Sequence, residues 1–168
     1  MTPPWVLTIA YWIHMLATVI WIGGLAALTF LVLPAARKSV DPSGYAALLG
    51  AIQKRFNPIA WLCLALLVAT GMLQMSASPR YEGFLAVSNP WASAILIKHL
   101  FIFGMVAVSA YLTWWVLPAL QRAALLRAAG RDVVDSSALE RQEVLLIRIN
   151  FILGIVILAL TAVARVNA

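Results

Sequence analysis

Four long apolar runs limit what this chain can become more than any other feature. They lie at about residues 5–33, 58–75, 91–117 and 145–166. Each is near or beyond the roughly 20 residues needed to cross a hydrocarbon core. A segment surrounded by lipid must satisfy its own backbone N–H and C=O groups, so each run is expected to be helical. The rest of the composition agrees, with 64% hydrophobic residues, 11% charged residues and a mean hydropathy of +0.95. A soluble domain carries about 25% charged residues, so this chain has too little polar surface to face water. The expected fold is an all-α integral membrane four-helix up-down bundle, with residues 1–168 as a single transmembrane domain.

Proline marks the expected ends of these runs. Pro34 should close the first and Pro118 the third, because proline cannot continue the helical ladder. Asn57-Pro58 should open the second run and Asn89-Pro90 the third. No Lys or Arg precedes Arg37, so the basic n-region of a signal peptide is missing and the first run should be retained as a span.

Orientation follows from the basic residues of the short loops. Arg37, Lys38, Lys54 and Arg55 lie between the first two runs. Arg122, Arg127, Arg131 and Arg141 lie between the last two, with Arg148 at the edge. The middle loop has only Arg80. Both termini should therefore be outside, in the inner (cytoplasmic) membrane of a bacterium. The net charge of +6 sits at span ends, which is the pattern of topology determinants and not of a nucleic-acid groove. Cys63 is the only cysteine, which excludes an internal disulfide and a CxxC site. Asp132 to Glu143 mixes charges without periodicity and reads as a solvated loop with one helical turn at most. No acidic residue falls inside the expected spans, which argues against a relay through buried carboxylates.

The chain repeats itself. Thr29-Phe30-Leu31-Val32-Leu33-Pro34-Ala35 and Thr113-Trp114-Trp115-Val116-Leu117-Pro118-Ala119 agree at five of seven positions. Arg55-Phe56-Asn57 likewise echoes Arg148-Ile149-Asn150. A tandem duplication of a helical hairpin is expected, the two copies sharing one orientation.

Two histidines are present, and both fall inside runs. His14 lies 20 residues before Pro34, and His99 lies 19 before Pro118. On parallel helices they would be level, each roughly 12–14 Å below the outer helix end at about 1.5 Å per residue. An ionisable side chain inside a span is costly and marks function by default. The main expectation is a b-type haem held between His14 and His99, doing one-electron transfer without enzymatic turnover. Trp21 and Gly24 would wall the porphyrin, and Lys98 and Arg80 would meet its propionates. The alternative is copper, since imidazole and thioether suit that metal. It would add Met15, Met72 and Met75 to the histidines. A third possibility is a structural accessory subunit of a larger membrane complex. Beyond the lipid bilayer, the candidate partners are a quinone or a periplasmic electron carrier.

His14 with Trp21, Gly23, Gly24 and the later Pro34 resembles the first helix of the copper-resistance D (CopD) membrane family. Leu96-Ile97-Lys98 resembles that family's lysine-bearing helix. The His-x6-Trp-x-x-Gly pattern is also similar to HemJ-type protoporphyrinogen oxidases, although those place proline sooner after the glycine than Pro34. The resemblance implies a haem or copper ligand role for His14 and a functional role for Lys98.

Overall fold

The computed structural model describes residues 3–40, 42–129 and 136–167. Among the described residues all regular structure is helical: α1 (Pro4–Ala27), α2 (Leu33–Ser39), α3 (Pro42–Ser76), α4 (Pro90–Tyr111), α5 (Leu117–Ala128) and α6 (Ser136–Val166). Single π-helical turns, Leu28–Val32 and Leu112–Val116, join α1 to α2 and α4 to α5 without a break. Four continuous helices result, each long and apolar enough to cross a membrane. The chain is an all-α membrane bundle.

Packing follows the repeat. Helix α1 lies mainly on α3 and α4 mainly on α6, so each hairpin is a close pair. Lesser contacts of α1 with α6, and of α5 with α3 and α6, join the pairs. The main core gathers Ala17, Trp21, Leu25, Leu28, Leu64, Met105, Val116 and Ile147. A smaller outer core holds Met75, Trp91, Ala92, Ala94 and Ala164. We call the end bearing Arg37, Lys54, Arg122 and Arg148 the inner end. Lipid tails are as apolar as leucine, so close packing and small residues hold such helices together, with little help from water exclusion.

Three expectations about proline are corrected. Pro34 and Pro118 do not end their helices, and Pro58 lies inside α3, which begins at Pro42. The π turns explain the first two. A proline inside a regular helix loses one hydrogen bond and clashes with the carbonyl four residues back. Here the ladder widens just before each proline: Leu33 N–H bonds to Leu28 O, and Leu117 N–H bonds to Leu112 O. The carbonyls of Thr29 and Thr113 then receive neither their i+4 donor, which is diverted, nor an i+5 donor, which is proline. Both copies of the seven-residue motif carry this irregularity at the same register, which gives the duplication a structural signature.

The stretch from Asp132 to Glu143 is also corrected. Residues 132–135 lie outside the described residues, but from Ser136 onward the chain is the first part of α6. Glu143 is only 2% exposed. A carboxyl group is therefore buried inside a helix that was expected to contain none.

At the outer end, residues 77–89 connect α3 to α4. Gly83 takes φ +134°, a backbone conformation that side-chain-bearing residues avoid. The turn brings Glu82 to Ser88 and Asn89 through hydrogen bonds. Asn89 Oδ1 accepts from Ala92 N at 2.8 Å and caps α4.

Candidate functional site

His14 is half-buried on α1 and faces α3. Its Nδ1 lies 2.8 Å from Thr70 Oγ1. The Thr70 hydroxyl proton is already committed, because Oγ1 donates to Leu66 O at 2.6 Å. The oxygen can then only accept, so in the neutral ring His14 Nδ1–H is the donor. Nε2 is left with its lone pair, the form of imidazole that binds metals. A side-chain partner on the other ring nitrogen is how proteins orient a metal-binding histidine.

The sequence around this contact has a clear logic. Gly71 sits against the ring, and a Cβ there would meet His14 Cε1 at 3.4 Å. That is ordinary van der Waals contact, so the imidazole packs directly on the α3 backbone here with space for a methyl at most. One turn toward the outer end, Gln74 Nε2 donates to Ala10 O at 3.3 Å. Thr18 Oγ1 donates to His14 O at 2.7 Å. Around His14 the polar groups are paired.

His99 is half-buried on α4. Its Nδ1 lies 2.7 Å from Ile95 O. A carbonyl can only accept, so here too Nδ1–H donates and Nε2 keeps its lone pair. Phe84, from the outer connection, stands edge-on to the ring with centroids 4.8 Å apart. The two histidines thus belong to different hairpins, each fixed in the same tautomer by its own hairpin. Lys98 is half-buried beside His99, and its charge also acts on His14.

The other expected site residues divide. Trp21 is buried in the main core and lines a small inner cavity with Leu25, Phe56, Asn57 and Asn150. Gly24 faces Phe56 so closely that a Cβ would overlap Phe56 Cε2. The room beside Gly24 is therefore occupied by an aromatic ring of the protein itself. Arg80 is exposed in the outer connection, its backbone N–H bonded to Ser78 Oγ at 3.3 Å. Met15 and Met72 are 60% and 55% exposed and face outward from the bundle, whereas Met75 is 8% exposed in the outer core. Among the described residues no three His, Cys, Asp or Glu side chains gather as a metal-binding group. A metal here would have to rest on imidazole, thioether or backbone donors.

Sequence reasoning missed Thr70, Gly71 and Phe84. A threonine inside a span usually bonds back to its own helix, as Thr70 does with Leu66, and nothing local announces the second bond across to α1. The small pair Thr70-Gly71 at the level of His14 was the available signal.

The family described as copper resistance protein D matches residues 50–164, which is more than half of the chain. Similarity to the HemJ-type oxidases is not shown. No curated protein and no solved structure matches. The match covers three of the four long helices and not α1, which carries His14; on that match the chain belongs to the copper-resistance D (CopD) family.

Proposed function

We propose that this protein handles copper within the membrane and holds a copper ion at the outer half of the bundle through His14. The observation that carries the reading is the orientation of that ring. Thr70 Oγ1 accepts a hydrogen bond from Nδ1–H and leaves Nε2 with its lone pair free, in a chain of the copper-resistance family. Neutral imidazole suits copper, and a thioether favours its reduced form. His99 offers a second nitrogen in the same tautomer. Of the three outer methionines, Met75 is the one buried in the protein. On this reading copper is cargo and not a resident cofactor. A multi-pass position in a bacterial inner membrane suits that role.

The test is copper(I) titration of the purified protein against a chelator, with wild type and His14→Ala side by side. Stoichiometric binding that disappears in His14→Ala is expected. Equal affinity in the two proteins would remove the reading.

A second reading, a b-type haem between His14 and His99 doing one-electron transfer, is favoured by the matched tautomers of the two rings. It is opposed by Phe56, which fills the room expected beside Gly24. A reduced-minus-oxidised visible spectrum separates the two readings. A haem protein shows an α band that vanishes in His14→Ala and in His99→Ala, and a copper protein shows no such band.

A further inference from the structure

Five buried side-chain atoms among the described residues have no hydrogen-bond partner: Thr29 Oγ1, Tyr45 Oη, Gln53 Nε2, Glu143 Oε1 and Asn150 Oδ1. All five lie in the inner half of the bundle, away from His14. The Glu143 carboxyl on α6 faces the Gln53 side chain of α3, and these two residues are 2% and 3% exposed. Gln53 also lines a small cavity of about 30 Å³ with Asn57, Ser109 and Asn150. Gln53, Asn57 and Trp61 separate it from a groove of about 360 Å³, which is bordered by Lys54, Thr113 and Gln121 near the inner end. The cavity has room for a water, which needs roughly 10–15 Å³ of such space. A water there would accept from Gln53 Nε2 and donate to Asn150 Oδ1, satisfying two of the five orphans.

No cation neutralises Glu143 among the described residues. Glu140 lies one turn earlier on α6 and acts on it with like charge, while pairing with Arg127 of α5 at 3.8 Å. Helix α3 presents neutral Gln53, with Lys54 exposed beside it. On α2, Arg37 lies over the Tyr45 ring at 5.9 Å. On α4, the Tyr111 hydroxyl accepts from Gln142 at 3.0 Å. On α6 itself, Arg141 bonds to Ser137 and Arg148 is exposed. Leaving a buried carboxylate charged and unpaired costs several kcal/mol, and a proton removes that penalty. The surroundings are amide and hydroxyl groups, with none of the soft donors that copper(I) prefers.

We propose that Glu143 is a proton-binding site, loaded from the inner aqueous face through the groove and the Gln53 cavity. In the step, a hydronium ion in the groove gives up one proton, the Glu143 carboxylate becomes a carboxylic acid, and one water remains. No electron moves, and release runs the same path in reverse. The site is distinct from the histidines and does not depend on what they bind.

Infrared difference spectroscopy of the purified full-length protein in lipid nanodiscs, stepped across neutral pH without copper, tests this. A carboxylic C=O band that shifts in D2O and is absent in Glu143→Gln is the expected result. Gln53→Leu should keep the band but slow its D2O shift several-fold, and it carries the test if Glu143→Gln does not fold. A spectrum with only ionised carboxylate across that range would overturn the proposal. So would a band that survives Glu143→Gln, or a response that needs added sodium, which would make this a metal-cation site. Copper titration reads His14 alone, so either proposal can fail without the other.

Discussion

The outer and inner halves of this bundle differ in how fully their buried polar groups are paired. In the outer half His14 is tied to Thr70, Thr70 to Leu66, Thr18 to His14 and Gln74 to Ala10, so the imidazole is held in one tautomer and one direction. In the inner half a carboxyl, two amides, a threonine hydroxyl and a phenol are buried with unmet bonding capacity. A fully satisfied network rigidifies and specifies, whereas a partly satisfied one leaves places for water or ions. On the two proposals above, the outer half would hold a ligand in a fixed direction and the inner half would take up water and a proton.

The comparison can be broken or sharpened by substitution. The largest effect is expected at His14, where alanine should lower copper(I) affinity by ~100-fold or more, because loss of a ligand should exceed the 10–100-fold typical of a supporting group. Glu143→Gln should leave that affinity within about the usual twofold to threefold scatter of such measurements. An equal loss in both would erase the division between halves. Thr70→Val removes the acceptor that fixes the ring, and chelator competition should show a loss of ~10–100-fold, largely restored by Thr70→Ser.

Smaller effects concern stability. Gly24→Ala drives a methyl into Phe56 and should destabilise by about 1–3 kcal/mol, as overpacking does. Gly23→Ala has nothing within 4 Å of the added Cβ, so its melting temperature in detergent should stay close to wild type. The smallest contrast uses the repeat. Thr113 Oγ1 donates to Asn57 Oδ1 at 3.2 Å, and Thr113→Val should cost about 0.5–1.5 kcal/mol. Its counterpart Thr29 has no partner, so Thr29→Val should be neutral or stabilising by denaturant titration. Equal losses at the two threonines would mean that Thr29 is as well satisfied as Thr113.

Much of the architecture was legible in the sequence, because long apolar runs in lipid leave the backbone no alternative to helix. Helix ends were less legible. Pro34 and Pro118 are strong terminators in an ordinary ladder, and only the preceding π turn lets the helix continue, with no composition to announce it. Glu143 was hidden for a similar reason: next to Glu140 and Arg141 it looks like loop surface, and only the start of α6 at Ser136 turns it inward. In the outer half His14 and His99 stood out because charge-capable side chains are rare in spans. Their orienting partners did not, since Thr70 is 56 residues away from His14 and Ile95 contributes only a backbone oxygen.

The π turns have one more consequence. Each adds a residue beyond the regular count, and one residue is worth about 100° of rotation around a helix axis with 3.6 residues per turn. The stripe of α1 that meets its neighbours therefore need not continue in phase into α2, nor that of α4 into α5. These two long helices, unlike α3 and α6, are each two segments offset in azimuth along one unbroken axis. The phase change stands at the same register in both copies of the seven-residue motif, so it offsets the stripe at the histidine level from the stripe at the basic end in both helices.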